Sequence, residues 1–377
     1  MTHPEPLPNR PVWDDGAALD LQPLHGDVRA DVCVVGLGGS GLAAVDELLA
    51  LGHSVVGVDA GAVGGAAAGR NGGFLLAGAA DFHHDAVARH GRERAVGIYR
   101  HTLAEIDRMA RETPDTVRRT GSIRLATSDD ELADCREQLD AMRGDDLPVE
   151  WYDGPLGTGL RMPTDCAFQP MARTHARARA VLDRGARLYQ RSAAVELAGD
   201  RVRTPDGVVR CRAVVVAVDG ALDLVLPELA PQIRSTRLQM LATAPTREVN
   251  VPCPVYARWG FDYWQQLPDG RLTLGGCRDL DLDAEWGHDA TPTATIQAAL
   301  DRVLRDHVGV RDTVATHRWA AVVGYTDTGL PIFTEARPGV WATGAYSGTG
   351  NVMGALCGRA AARRAVGMGS ELAELLA

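Results

Sequence analysis

Apolar positions along this chain alternate between short continuous runs and helical stripes. Val32 to Val35 and Val55 to Val58 are apolar runs with the length and composition of strands buried on both faces. Leu42 to Leu51, between them, reads as the helix that joins them. The same reading predicts a long helix over 84–113, with Val87, Ile98, Leu103, Ile106 and Met109 turned to a core. It predicts a strand over 121–127, a helix over 129–142, a short strand at 149–152, a helix over 174–184 and a strand at 186–189. Gly207 to Gly220 reads as a hairpin leading into a buried strand. Strands follow at 236–244, 254–266 and 271–277, then a helix from about 292 to 307, a strand over Val340 to Thr343 and a helix over Asn351 to Val366. Strands and helices in this alternation predict an α/β fold with an α+β second part. No internal repeat is found, and the Pro-rich residues 1–29 read as a leader on the surface.

The turn after the first strand carries chemistry. Gly36, Gly38 and Gly41 form G-x-G-x-x-G between strand and helix, and Asp59 closes the second strand, 18 residues after Gly41. Gly36 permits the sharp turn, Gly38 lets the backbone approach a pyrophosphate, and Gly41 lets the helix pack on the strand. The helix N-terminus offers free N–H groups to phosphates, and Asp59 can accept hydrogen bonds from ribose hydroxyls. That order predicts a dinucleotide site. Residues Ala60 to Phe74 then consist mostly of tiny side chains, interrupted by Arg70-Asn71. Such a chain can lie closely along a large flat ligand. Gly344 to Gly350 is a second glycine-rich turn ahead of a helix, so a second helix N-terminus faces something electron-rich.

Residues 30–80 resemble the first segment of the D-amino-acid-oxidase superfamily of FAD enzymes. Gly69-Arg-Asn-Gly-Gly73 is similar to its amine-oxidising branch, typified by gamma-glutamylputrescine oxidases. Trp319 to Pro331 resembles the family's W-x-G-…-T-x-D-x-x-P segment, Pro338 to Asn351 its closing G-x-x-G-x-G loop, and Gly207 to Gly220 its adenine-side segment. The resemblance implies a Rossmann-type FAD-binding domain that is discontinuous (30–82, 150–225 and 315–377). A mixed-sheet substrate domain (83–149 and 226–314) is interleaved with it. It implies cofactor contacts from Gly36, Gly38, Gly39, Ser40, Gly41, Asp59 and Ala60, and from Gly69, Arg70, Asn71, Gly72, Gly73 and Phe74. Val195, Asp219 and Gly220 are implied further on. Gly344, Tyr346, Ser347, Gly348, Thr349, Gly350 and Asn351 are implied at the flavin's pyrimidine end, whose carbonyl gains charge on reduction.

Composition narrows the partners. The chain has 377 residues, long enough for two domains, and 39 basic against 49 acidic residues give a net charge of −10. With no basic stripe, nucleic acid and anionic membrane surfaces are not expected as partners. No apolar stretch is long enough for a membrane span and the first residues are not a signal peptide, so a cytoplasmic protein is expected. Seven cysteines without a C-x-x-C read as free thiols. There is no lysine: all 39 cations are arginine, which excludes lysine nucleophiles and lysine Schiff bases.

On the substrate side, Val255 to Trp264 concentrates five aromatic residues in a chain that is only 5% aromatic. Aromatic walls exclude water and position a ligand. Tyr263 and Trp264 are favoured here ahead of Trp259, against the alternative that each ring is core. Arg258 could hold a carboxylate, against a surface or interface role. His84, just after the glycine-rich block, could accept a proton from an ammonium substrate, against a capping or structural role. Asp279 to Glu285 suggests a calcium loop, but Ala284 and Ala290 replace its glycine and bidentate glutamate, so no metal is expected.

Two departures from the family bear on mechanism. Val323 stands where the resemblance expects a substrate-anchoring arginine or a flavin-linking cysteine. This implies non-covalent FAD and no ordinary amino-acid anchor unless Arg258 or Arg278 substitutes. Thr273, in Leu272-Thr-Leu-Gly275, replaces a lysine that promotes oxygen reduction. The expectation is therefore an FAD-dependent oxidoreductase acting on the C–N bond of a small-molecule amine, with electrons passing to oxygen. An amine dehydrogenase with another acceptor, a flavoenzyme of a natural-product pathway and a non-enzymatic FAD-binding protein stay open.

Overall fold

The apolar runs assemble into two large sheets that share one cleft. The computed structural model describes residues 7–17 and 19–377. Arg187–Tyr189, Val55–Val58, Val32–Val35, Ala213–Val216, Val340–Gly344 and Ile332–Arg337 form a six-stranded sheet in that order. Every neighbouring pair is parallel except the last. The central strands are apolar throughout because both faces are covered. One face packs on helices Gly39–Ala50 and Met353–Ala365 through Val32, Val34, Leu42 and Leu48. The other packs Cys33 and Val35 against Val202, Val209 and Leu226. Gly41 fixes how closely helix meets turn: a Cβ there would lie 1.7 Å from the Gly36 carbonyl oxygen.

The second sheet has eight strands in the order Ala315–Tyr325, Arg234–Thr243, Leu272–Gly276, Asp262–Gln266, Val255–Ala257, Ser122–Leu125, Gly157–Met162 and Glu150–Gly154. It is antiparallel apart from Val255–Ala257 beside Ser122–Leu125. Its back face carries Leu241, Val255, Trp264, Leu272 and Leu274 against Ile296 and Leu300 of helix Ala294–Val303. The front face lines the cleft.

Several expectations shift. The helix expected over 84–113 is two helices, His83–His90 and Arg92–Glu112, parted at Gly91 with φ 85°. The strand expected over 254–266 is a hairpin whose corner, Arg258 and Trp259, takes left-handed φ of 52° and 53°. Gly207–Arg210 pairs with Gly26–Arg29 and Arg201–Arg203 in a four-stranded sheet, whereas Ala213–Val216 enters the six-stranded one; the segment is two strands in two sheets. Boundaries expected at 150 and 315 cut across the eight-stranded sheet, to which Glu150–Gly154, Gly157–Met162 and Ala315–Tyr325 belong.

The expected surface leader is anchored over its described part. Trp13 is 3% exposed, in a cluster with Met171, Met240, Ala242 and Trp319. Residues 1–6 and 18 lie outside the described residues. Among the described residues no helix is long and apolar enough to cross a membrane.

Candidate active site

A cavity of about 1130 Å³ is lined by both sheets, at or above the roughly 300–1,000 Å³ of a site for one small ligand. The glycine turn forms one end. Gly36, Gly38, Gly39 and Ser40 line it, and Gly38 precedes the helix without a side-chain cap, leaving first-turn N–H groups for a ligand. Asp59 accepts from Leu37 N at 2.7 Å and Gly61 N at 2.8 Å, and burial raises its carboxyl pKa despite both bonds. It therefore ties the turn to the second strand while also lining the cleft.

The Arg70–Phe74 stretch is held by its carbonyls. Trp319 Nε1 donates to Arg70 O at 2.7 Å and Trp13 Nε1 to Asn71 O at 2.7 Å. Gln265 Nε2 reaches Gly72 O at 2.7 Å and Gly73 O at 3.0 Å, and Asn351 Nδ2 reaches Phe74 O at 2.9 Å. Five successive carbonyls thus each meet a side-chain donor. Buried carbonyls need such partners, and holding all five fixes the path of the turn. Arg70 donates through Nε to Ala320 O and bonds Asn9 as well.

Asn351 belongs to the second glycine-rich loop. There Ala345 and Ser347 take left-handed φ of 52° and 51°, a strain that clusters at functional sites. Tyr346 Oη donates to Ser40 Oγ at 2.8 Å, joining this loop to the first turn. Asp219 accepts from Tyr346 N at 3.2 Å, and burial pushes its carboxyl up to about 6.

The eight-stranded sheet supplies the aromatic wall. Cross-strand register places Arg124, Tyr256, Tyr263, Gly275 and Met240 in one row on the cleft side. A Cβ on Gly275 would come within 2.4 Å of the Tyr263 ring, so glycine lets that ring lie across the next strand. Phe74 meets Tyr256 and Tyr263 edge-on at 5.2 and 6.0 Å. Burial raises both phenol pKa values.

Most implied cofactor residues line the cleft: Gly36, Gly38, Gly39, Ser40, Asp59, Ala60, Arg70, Asn71, Gly72 and Phe74 from the first half of the chain. Asp219, Gly220, Tyr346, Ser347, Gly348, Thr349, Gly350 and Asn351 join them from the second. Gly41, Gly69, Gly73 and Gly344 stand behind this lining, as packing positions. Val195 is 51% exposed, and its neighbours Ala193 and Ala194 line the cleft in its place.

The substrate-side expectations separate more sharply. Tyr263 is in the wall, but Trp264, next to it on a strand, necessarily faces the opposite side and lies in the back core. Trp259 lines the cleft instead. Arg258 is bound by Asp262 at 3.2 Å and by Asp279, and does not line the cleft. His84 points to Asp85 and Glu137, at 3.6 and 3.8 Å, away from it. Tyr256, Tyr325, Phe82 and Arg124 are wall residues the sequence did not single out; strand parity with Tyr263 could have found Tyr256.

The uncapped glycine turn, its acid and the long wall of small residues fit FAD, and this fold and cleft define a flavin-dependent oxidoreductase. The chain belongs to the family of FAD dependent oxidoreductases (DAO), which it matches over residues 31–364. It is 26% identical over 391 residues to "Probable oxidoreductase OrdL" of Rhizobium meliloti (strain 1021), covering 97% of this chain and 88% of that protein. It is also 26% identical over 367 residues to gamma-glutamylputrescine oxidoreductase of Escherichia coli (strain K12), covering 89% and 83%. Among solved structures, glycine oxidase from Geobacillus kaustophilus superposes with a TM-score of 0.75 at 19% identity, over 91% of this chain and 96% of that one. L-amino acid deaminase from Proteus vulgaris gives 0.75 at 17% identity, over 94% of each chain. These two likenesses are of fold.

Proposed function

We propose that the protein oxidises the C–N bond of an amine with non-covalently bound FAD and passes the electrons to oxygen. The observation that carries this reading is the Tyr256–Tyr263 wall facing the clamped Arg70–Phe74 turn: a Cβ on Gly72 would lie 3.2 Å from the Tyr263 ring. The relative named for gamma-glutamylputrescine supports the substrate class. Bound FAD supplies the acceptor for a hydride from the amine α-carbon.

The chain's own part is binding, orientation and exclusion of water. Gly38, Gly39 and Ser40 would hold the pyrophosphate, Asp59 the adenosine ribose, and the Gly348–Asn351 loop the pyrimidine end. Phe74, Tyr256 and Tyr263 give an apolar surface that favours the uncharged amine over its ammonium form, leaving the α-carbon free to lose hydride. With hydride goes one amine proton to solvent, and water then splits the imine into a carbonyl compound and an amine. Non-covalent attachment is supported by Val323 at the cleft and by the absence of any cysteine from its lining among the described residues.

Thr273 favours a second reading, a dehydrogenase. It is fully buried, and its hydroxyl has no hydrogen-bond partner among the described residues, where the resemblance expects a cation that assists oxygen. Mixing substrate-reduced enzyme with aerated buffer in a stopped-flow instrument decides the acceptor. Reoxidation well above the rate of free flavin, with one peroxide per carbonyl product, supports the oxidase; a rate no better than free flavin assigns a dehydrogenase.

A further inference from the structure

We infer that the amine taken by this cleft carries two anionic groups, one bound by Arg124 and the other by Arg278. The inference rests on the amine-oxidising reading and adds the charge of the substrate to it.

The cleft's acids are already engaged. Asp81 pairs with Arg89 at 2.8 Å, and Glu112 is shared by Arg173, Arg177 and Arg359. Asp59 and Asp219 accept backbone N–H groups. Asp327 is 90% exposed at the rim, 4.0 Å from Arg234. Neither Arg124 nor Arg278, both of which line the cleft, forms an ion pair among the described residues. Arg70, also without one, bonds Ala320 O and Asn9. In a protein of net charge −10, the Arg124 and Arg278 guanidiniums thus line the cleft without a paired carboxylate.

Their placement points to one ligand. Arg124 shares a register row with Tyr256 and Tyr263, and Arg278 follows the same sheet's Leu272–Gly276 strand on the far side of Tyr263. Three strand spacings of about 4.8 Å separate the Arg124 and Gly275 backbones. The two tyrosines thus lie between the two cations, where the amine carbon would sit. The Arg124 guanidinium lies 4.3 Å from the Phe82 ring centre and gives one bond to Gln138 Oε1 at 3.0 Å. The Arg278 guanidinium stacks 4.5 Å from Tyr325 and 5.1 Å from Phe261. Stacking on ring faces orients a guanidinium while leaving its edge donors free for a carboxylate. Neither cation is spent on the cofactor's phosphates, whose turn belongs to the six-stranded sheet.

The test measures binding apart from turnover. Calorimetric titration of the FAD-loaded protein uses glutarate as dianion and butyrate as monoanion. Glutarate is expected to bind at least about 30-fold tighter than butyrate, and Arg124→Gln or Arg278→Gln each to remove about that factor, the scale of truncating one partner of a desolvated charge pair. Arg278→Lys keeps the charge and is expected to retain part of the glutarate preference, which separates lost charge from lost folding. Equal binding of glutarate and butyrate, or glutarate affinity unchanged in either Gln variant, overturns the inference. Anaerobic flavin bleaching by N-methylaspartate and by N-methylpropylamine separates it from the underlying reading. If both bleach equally well, amine oxidation stands and the two-anion site falls; if glutarate binds as expected and no amine bleaches, the site stands and amine oxidation falls.

Discussion

Replacing Trp13 by Phe tests whether the N-terminal segment serves the cofactor. The indole N–H donates to Asn71 O at 2.7 Å, within the run of five clamped carbonyls. Phe keeps most of the ring in its pocket beside Met240 and Trp319 but leaves that carbonyl unpaired. An unsatisfied buried acceptor costs about 1–3 kcal/mol, and because this bond is only partly buried the lower half of that range applies. About 1–2 kcal/mol falling on the turn corresponds to roughly 5- to 30-fold weaker FAD binding. The assay is reconstitution of flavin-free protein, following quenching of flavin fluorescence, alongside urea unfolding of the same flavin-free samples. Weakened FAD binding in that range supports the clamp. An FAD affinity within about twofold of wild type, with only a lower unfolding midpoint, refutes it and leaves Trp13 as packing.

Acid precipitation should release all the flavin into the supernatant, because Val323 and the cysteine-free lining offer no linking thiol; yellow precipitate would contradict this. Gly38→Val should give a soluble chain without flavin, since even a Cβ there lies 3.3 Å from the Ala68 methyl and a branched side chain narrows the phosphate end; unchanged flavin content would contradict it. Asp165 is buried, accepts from Ser122 Oγ at 2.6 Å and Ala77 N at 3.0 Å, and burial pushes its pKa from 3.8 up to about 6. The folded state then holds this proton more tightly than the unfolded one, so its contribution is full below about pH 4 and is lost as pH rises through about 6. Urea midpoints at saturating FAD should show wild type losing on the order of 3 kcal/mol relative to Asp165→Asn between pH 4 and 8. A pH-independent difference would show that Asp165 is not the titrating group.

The cofactor half was legible in the sequence because it depends on backbone. Gly36 and Gly41 mark a turn where a Cβ would lie 2.5 and 1.7 Å from backbone oxygens, Asp59 follows 18 residues after Gly41, and Gly348 to Asn351 carry a glycine-rich signal of their own. Such local signals survive without knowledge of the tertiary fold. The substrate half depends on which face of a strand meets the cleft and on contacts between distant segments. Trp264 and Tyr263 have equal aromatic character in the sequence, and only sheet parity sends one to the back core. Arg258 and Arg278 likewise look alike until Asp262 and Asp279 are seen to engage the first. Trp13, read as part of a surface leader, carried no local periodicity to mark it; its partners Met240 and Trp319 lie more than 200 residues away.

The central claim, oxidation of an amine by bound FAD, is tested most directly by anaerobic titration of the yellow protein with amines while the oxidised-flavin absorbance is followed. The account predicts stoichiometric bleaching by at least one amine, with one equivalent of carbonyl product per flavin. Bleaching by dithionite but by no amine, across neutral, monoanionic and dianionic members of the panel, would contradict it.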